Sequence, residues 1–307
     1  MALAGKRAVV FGVCNKWSLA WACAQSWHAA GAQLTLVCKS DREKGAVEQL
    51  ASSLSSPLGT GTSQINENDA GRYSGLVNFG DCDGGAVSLV EETETLVCDV
   101  SDEAAIQAVF ARASHNGARP VHCVLHAVAA APPGALAAPL FEASKEDFLS
   151  TQLISAYSLI SIARAALPVM EASLLDGQEE AAQVSSSSSC SITSLTYIGA
   201  SRAVPGYGIM GAAKASLESS TRYLAHELGP RGVRVNCLSA PPLNTLSARG
   251  IPGFKDMHRA AEERSFSAKA VTHAQVAEVA TFLASDAACS ITGQVVHADA
   301  GFGVSAF

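Results

Sequence analysis

The class of fold follows from residues 7–38, "RAVVFGVCNKWSLAWACAQSWHAAGAQLTLVC". This stretch begins with a short apolar run at 7–12, continues with a helical pattern at 18–31 that ends on glycine, and closes on a second apolar run at 33–38. Short, nearly continuous apolar runs are typical of strands that are buried on both faces. Two such strands joined by a helix predict a βαβ unit with parallel strands and a right-handed crossover.

The same alternation continues along the rest of the chain. We predict five further strands, at 95–100, 121–128, 189–195, 233–239 and 293–299. We predict five further helices, at 41–54, 102–114, 144–171, 206–228 and 273–285. The sequence therefore predicts an α/β fold: a Rossmann-like, doubly wound, seven-stranded parallel sheet with helices on both faces, in a single domain over 1–307.

Two polar stretches interrupt this alternation. Residues 55–94 are rich in glycine, serine and acidic residues and have little periodicity, and residues 176–189 carry a run of serines. Neither stretch has the composition of a separate domain. We interpret 55–94 as a polar surface insertion and 176–189 as a serine-rich insertion.

Composition limits the classes of function. The chain has 307 residues, 48% of them apolar and 16% charged, with a net charge of −7. The acidic balance argues against nucleic acid or an anionic membrane as the main partner. Nine scattered cysteines without a C-x-x-C pair indicate buried free thiols in a reducing compartment, and we predict no metal site. No apolar run approaches the ~20 residues that cross a bilayer, and a strand begins too early for a signal peptide, so we expect a cytoplasmic or organelle-matrix protein.

Ligands of such sheets bind at the carboxyl ends of the strands. The turn after the first strand lacks the full G-x-G-x-x-G pattern, but Gly12 ends the strand, and Ser18 and Leu19 begin the helix. Free N–H groups at a helix start suit the pyrophosphate of a dinucleotide. An ordinary strand–loop–helix with a serine cap fits these residues equally well.

The ends of the next two strands suggest which dinucleotide is bound. Lys39, with Arg42 nearby, lies where a cation would accept the 2′-phosphate of NADPH, so we favour NADPH over NADH. A solvated helix start is the alternative. Asp99 and Val100 could hold the adenine, although Asp99 or Ser101 could instead cap the following helix.

The segment "YGIMGAAK" (207–214) places a tyrosine and a lysine seven residues apart. Seven helical steps of ~100° return to nearly the same face. Tyr207 and Lys214 are therefore either a chance surface pair or a proton donor with the cation that tunes it.

Several segments of the chain resemble the bacterial and plastid enoyl-[acyl-carrier-protein] reductases, a divergent branch of the short-chain dehydrogenase/reductase superfamily. They are "GVCNKWSLAWACAQSWHAAGAQL", "CDVSDEAAI", "TSLTYIGASRAVPGYGIMGAAKASLESSTRYLAHELGPRGVRVNCLSA" and "TLSARGIPGF". This branch has Tyr-x₆-Lys, matched by Tyr207 and Lys214, with a second tyrosine ten residues earlier, matched by Tyr197. The glycine-poor turn with a Ser-Leu-Ala helix start is a second match.

The resemblance implies the reduction of the trans-2 double bond of an enoyl thioester by NAD(P)H in fatty acid synthesis. Tyr207 would then bind the thioester carbonyl oxygen, Lys214 the nicotinamide ribose, and Tyr197 would line the acyl site. We expect the nearby ammonium to strengthen the phenol as a donor.

The resemblance also implies further contacts and partners. The additional cofactor contacts are Ala127, Ala129, Ile192 and Thr245. Residues 245–266 would form a lid over the substrate. Lys255 matches a cation used against the acidic acyl carrier protein, whereas Pro252 and Asp256 replace two others. The family is typically a homotetramer.

Three departures from the family pattern keep other readings open. Ala129, Pro241 and Ala300 replace glycines and add bulk near the expected cofactor site or the C-terminal contacts. One alternative is a degenerate, non-catalytic nucleotide-binding member. The other is a carbonyl-reducing short-chain dehydrogenase, which would show Tyr-x-x-x-Lys and an upstream serine, for which Ser194 is available.

Overall fold

A computed structural model describes residues 1–54, 93–180, 190–267 and 269–305 of the chain. Its seven strands are β1 (Arg7–Phe11), β2 (Gln33–Cys38), β3 (Glu94–Val97), β4 (Cys123–His126), β5 (Cys190–Thr196), β6 (Val233–Ser239) and β7 (Val295–His297). They form one sheet in the order β3-β2-β1-β4-β5-β6-β7, and every pairing between neighbours is parallel. The predicted doubly wound, seven-stranded sheet is confirmed.

Nine α-helices in the described residues connect and cover these strands. They are α1 (Leu19–Ala29), α2 (Asp41–Leu54), α3 (Glu103–Ala113), α4 (Pro133–Ala137), α5 (Lys145–Gln152), α6 (Ser158–Glu180), α7 (Gly208–Leu228), α8 (Phe254–Arg264) and α9 (His273–Ala284). Side chains at the N-caps hold several of the starts: Ser18 accepts from the Trp21 N–H, and Thr272 forms a reciprocal capping box with Gln275. The short helix α4 was not predicted.

The core lies in two layers, one on each face of the sheet. One buried cluster joins β1, β4 and β5 to α3, α6 and α7, and the other joins the sheet to α1, α2 and α9. Because both faces are covered, the central strands β4, β5 and β6 are buried at nearly every position, including their polar residues. Six of the eight cysteines in the described residues are buried free thiols, as predicted; Cys14 is half-buried and Cys289 is exposed.

The two predicted insertions lie mostly outside the described residues, at 55–92 and 181–189. Their described ends correct the predicted limits. Glu94 begins β3 and accepts a hydrogen bond from Arg112 Nε at 2.6 Å, and residues 176–180 continue α6. β3 in turn ends at Val97 rather than at residue 100, since Asp99 bonds Ser101 in a turn.

The helical region Lys145–Ala172 differs from the single predicted helix at 144–171. A π-helical turn, Leu153–Tyr157, separates α5 from α6. Contrary to our expectation, this region is long and apolar enough to cross a membrane by length and composition, but more than half of its apolar window is buried inside the protein. A core helix of a soluble domain has these properties.

Ala300 has a backbone φ of +51°, in the left-handed region that favours glycine. An L-residue there costs about 1–2 kcal/mol, whereas glycine loses about 0.5–1 kcal/mol more entropy on folding. We therefore expect Ala300→Gly to stabilise the fold by about 0.5–1 kcal/mol and to raise the Tm by about 1–2 °C. Ala298→Gly, two residues earlier and without a positive φ, should lower the Tm in the same calorimetric experiment. A lower Tm for Ala300→Gly would contradict this account.

Candidate active site

The turn between β1 and α1 brings three predicted cofactor residues to the carboxyl edge of the sheet. Gly12 has a φ of +94°, and a Cβ there would collide with the backbone oxygen of Ala127. Only glycine therefore allows β1 and the loop after β4 to approach this closely. Ser18 caps α1, and Leu19 is its first residue. The N–H groups of a first helical turn lack partners within the helix, so this end of α1 can accept an anion.

The ends of β2 and β3 bring Lys39 and Asp99 close together. The Lys39 side chain is exposed, and its charge helps to lower the pKa of Asp99 after the larger effect of two hydrogen bonds from Ser101. The backbone N–H of Lys39 donates to the Glu43 carboxylate at 2.9 Å, so a carboxylate stands beside the predicted phosphate-binding cation. The cap of α3 is Asp102, which excludes both Asp99 and Ser101 from that role. Val100 is buried beside them.

Tyr207 and Tyr197 form an edge-to-face pair at the end of β5. Their ring centroids are 5.0 Å apart and their planes meet at 76°. Both rings are buried, and the Tyr197 hydroxyl is a buried polar atom without a hydrogen-bond partner in the described residues. No hydrogen bond from the Tyr207 hydroxyl is found in that part of the chain either. Gly199 leaves room for the Tyr207 ring, because a Cβ there would lie 2.5 Å from its Cδ1. Two unpartnered phenols in one pocket are typical of a site that completes its hydrogen bonds with a ligand.

Burial sets the protonation state of these phenols. It raises the pKa of Tyr197 to about 12, and burial, followed by the charge of Tyr197, raises the pKa of Tyr207 further still. The tuning of Tyr207 by the Lys214 ammonium stays a prediction. Tyr207 precedes α7 rather than lying within it, so the two side chains do not share a helical face as predicted. Both phenols stay protonated at neutral pH and can donate.

Lys214 is buried and points at the same strand end. Its Nζ donates to the backbone carbonyl of Leu195 at 2.8 Å. Burial lowers its pKa to about 8, although the Cys237 thiol and the Glu218 carboxylate raise it in part. One of the three ammonium donors is thus used in the described structure, which leaves two for a ligand.

Ser194 is the serine that a carbonyl reductase would need, and its hydroxyl is already engaged. It lies 2.7 Å from Nδ1 of the fully buried His126. Ser158 Oγ donates to the carbonyl of Ile154, so it must accept the proton of His126 Nε2 at 2.8 Å. Nδ1 is then unprotonated and accepts the Ser194 proton. Burial lowers the pKa of His126 to about 3, which keeps this arrangement neutral. Sequence reasoning assigned no role to His126 or Ser158.

The structure brings most of the remaining predicted residues to the same edge, with one exception. Ala127 follows β4 directly and donates its N–H to Phe11, and Ala129 lies exposed in the same loop. Thr245 accepts a hydrogen bond from the Ala248 N–H at the start of the predicted lid. Ile192, predicted to contact the cofactor, instead lies in the middle of β5 with 0% exposure, inside the core. It has no free surface for a ligand.

A cavity of about 190 Å³ joins the tyrosine pair to the cofactor turn. Its walls include Leu19, Tyr197, Tyr207, Pro241, Thr245 and the α8 residues Phe254 and Met257. The cavity is largely apolar, and its hydroxyl groups are those of the two phenols, Thr196 and Thr245. A larger cavity of about 980 Å³ within the described residues opens at the other edge, at the amino ends of β1 and β2, and holds none of the predicted site residues.

The chain is similar to known proteins over nearly its whole length. A profile of the family "Enoyl-(Acyl carrier protein) reductase" matches residues 81–303. The enoyl-[acyl-carrier-protein] reductase [NADH] FabI of Bacillus cereus is 35% identical over 300 residues, which cover 98% of this chain and 97% of that protein. The Escherichia coli protein of the same name is 32% identical over 305 residues, covering 99% and 96%.

Solved structures give the same result. A crystal structure of the Bacillus cereus enoyl-acyl carrier protein reductase with NADP+ and an indole naphthyridinone superposes with a TM-score of 0.81 at 33% identity, covering 100% of this chain and 99% of that one. The Anaplasma phagocytophilum reductase in complex with NAD has a TM-score of 0.79 at 31% identity, covering 100% and 97%.

Proposed function

The chain belongs to the enoyl-[acyl-carrier-protein] reductase family, and on that premise we propose that it reduces the trans-2 double bond of an enoyl thioester in fatty acid synthesis. One observation carries the proposal: Tyr197 and Tyr207 pack together and line an apolar cavity beside the predicted dinucleotide turn, and the buried Tyr197 hydroxyl lacks a partner in the described residues. An α,β-unsaturated thioester matches this cavity, because it is apolar apart from one carbonyl oxygen that can accept a hydrogen bond.

The residues present fit a nicotinamide dinucleotide. Gly12, which has no side chain, and the N-terminus of α1 can bind a pyrophosphate. Lys214 has two free donors for ribose hydroxyls. Leu19, Pro241 and Thr245 would enclose the nicotinamide end. When bound, this cofactor supplies the hydride that the reduction consumes.

Tyr207 would act on the thioester oxygen. Addition of a hydride to C3 moves the electrons of the double bond onto the carbonyl oxygen, which becomes an enolate, and a proton at C2 completes the reduction. The Tyr207 side chain lines the cavity, and its hydroxyl, which makes no hydrogen bond within the described residues, can donate to that oxygen. A donor held in a buried pocket needs no reorganisation as the charge develops, which is why such donors lower the barrier.

Lys214 would add a positive charge near the same oxygen. Its ammonium is held at the end of β5 by the Leu195 carbonyl. A cation in a water-poor site stabilises a nearby enolate more strongly than it would in bulk water. Tyr197, at the other side of the phenol pair, would line the acyl site.

Two alternatives are less well supported. A carbonyl-reducing dehydrogenase would need the Ser194 hydroxyl, which is buried and donates to His126. A non-catalytic member would have little use for the buried, unpartnered Tyr197 hydroxyl, which costs free energy in the absence of a ligand. Mixing the protein with NADH or NADPH and a crotonyl thioester, and following the loss of absorbance at the nicotinamide band, tests all three. Turnover of a ketone but not of the crotonyl thioester would overturn the proposal.

A preference for NADPH over NADH is the finer part of the proposal. Lys39 and Arg42 support it, while Glu43 opposes it, and the names of the relatives specify NADH. If Lys39 binds a 2′-phosphate, Lys39→Gln should raise the KM for NADPH about tenfold and leave the KM for NADH unchanged. Glu43→Gln should lower the KM for NADPH. An equal kcat/KM for both cofactors in the unaltered protein, or a higher value for NADH, would show that Lys39 faces solvent.

The acyl carrier protein and a homotetrameric assembly are further parts of the proposal. Lys255 is exposed on α8, the helix that would cover the substrate. A strip of exposed apolar side chains runs along α5 and the π-helical turn: Phe148, Leu149, Leu153 and Tyr157. Contact between copies of the chain would cover this strip. Light scattering on the purified protein measures the molar mass.

A further inference from the structure

A second cavity adjoins the tyrosine pocket, and the proposed reaction leaves it unused. Its volume is about 480 Å³. Tyr197 and Met257 line both cavities, so these two side chains stand between them. Its far wall includes Arg202 and Arg264, and we call it the arginine cleft.

The two arginines give the cleft a positive charge. Within the described part of the chain, Arg264 has no hydrogen-bond or ion-pair partner, and Arg202 donates from Nη1 to the backbone carbonyl of Ser305 at 3.2 Å. One carboxylate also lines the cleft, that of Asp256, but it accepts from Arg259 Nη2 at 2.9 Å. The guanidinium groups of Arg202 and Arg264 are thus available to an anion.

The length of α8 sets the distance between the tyrosine pocket and the arginines of the cleft. Phe254, its first residue, lines the tyrosine pocket, and Arg264, its last, lines the cleft. Ten residues of α-helix span about 15 Å, which is the reach of four to five fully extended residues. A pantetheine arm, built from pantoyl, β-alanyl and cysteamine units, is of this size.

We propose that the arginine cleft binds the phosphate of the 4′-phosphopantetheine arm that carries the acyl thioester. This proposal rests on the proposed function, because the thioester must lie at Tyr207 for the phosphate to reach Arg264. Arginine pairs with phosphate oxygens through two parallel hydrogen bonds, which suits a terminal group that has to be held in register.

Two substrates that differ only in this phosphate test the proposal. The unaltered protein should have a KM about tenfold lower for crotonyl-4′-phosphopantetheine than for crotonyl-pantetheine. Arg264→Gln should raise the first KM about tenfold and leave the second unchanged. Arg222→Gln removes the same charge from an exposed position on α7, outside the cleft, and should change neither KM. Arg202→Lys, which keeps the charge but loses the paired geometry, should have an intermediate effect.

Calorimetry with 4′-phosphopantetheine alone separates this proposal from the proposed function. If the unaltered protein binds 4′-phosphopantetheine and Arg264→Gln does not, the result supports the cleft as the phosphate site even if no thioester is reduced. Equal affinity of the two proteins for 4′-phosphopantetheine overturns the proposal. Equal KM values for the two thioesters in the unaltered protein also overturn it. Crotonyl-coenzyme A and crotonyl carrier protein both contain this phosphate. The cleft binds the phosphate of the substrate whose KM rises in Arg264→Gln.

Discussion

Replacing Tyr207 with phenylalanine is expected to lower kcat on a crotonyl thioester by about 10²–10³, the usual loss for one oxyanion donor. The reason is the position of this residue: its ring is buried, its hydroxyl makes no hydrogen bond within the described residues, and it lines the cavity between the cofactor turn and α8. The aromatic ring remains in Tyr207→Phe, so its packing on Tyr197 is kept. Fluorescence titration should therefore give a nearly unchanged Kd for the dinucleotide.

Tyr223→Phe is the matched control, because that tyrosine is 67% exposed on α7, and it should leave kcat unaltered. Tyr197→Phe removes the other hydroxyl of the pair and distinguishes the two roles. A kcat near that of the unaltered protein for Tyr207→Phe would show that another group stabilises the enolate. A large loss of thermal stability would instead point to a structural role for the hydroxyl.

Replacing Lys214 with methionine should reduce kcat/KM by at least about 10², because the substitution removes both the charge near the enolate and the donors for the ribose. Methionine has a similar length and no charge, so it should also relieve the cost of burying an ammonium. We therefore expect the Tm to hold or rise while the Kd of the dinucleotide increases. Lys145→Met, at the exposed start of α5, is the control for a lost positive charge.

The pH dependence of the unaltered protein reports the same lysine. Burial lowers the pKa of Lys214 to about 8, so its charged form decreases as the pH rises through that value. If the charged form is the active one, kcat/KM should fall tenfold per pH unit above about 8, since kcat/KM follows the groups of the free enzyme. The residual kcat/KM of Lys214→Met should not show this decrease above about pH 8. A flat profile between pH 7 and 9 in the unaltered protein would contradict the assignment.

Sequence reasoning predicted the sheet well where its strands have sharp ends. β2 and β6 begin and end at the predicted residues, and each follows a glycine with positive φ, Gly31 and Gly232. β4 is shorter than predicted, because the Val121 N–H bonds the carbonyl of Val169 in α6 instead of a neighbouring strand. Such a tertiary hydrogen bond leaves no trace in the local pattern of apolar residues.

The site was predictable as a set of residues but not as a set of contacts. Spacing identified Tyr207 and Lys214, yet it could not show that one packs on Tyr197 and the other bonds Leu195. Ile192 is an apolar residue in an apolar strand, and only the packing on both faces of β5 shows that it is enclosed. Ser158, which bonds His126, directly follows the π-helical turn. A π-helical turn contains an extra residue, and residue spacing alone does not predict where one occurs.

Gly199 has a consequence for how this protein tolerates change. Any side chain at residue 199 would displace the Tyr207 ring, since even a Cβ would come within 2.5 Å of it, while the surrounding sheet would be left intact. In a saturation library, substitutions at residue 199 should therefore be lost, like those at Tyr207, in a screen for growth. The same substitutions should be retained in a screen for soluble expression. The position that constrains the reaction most tightly after the phenol itself would then be one without a side chain.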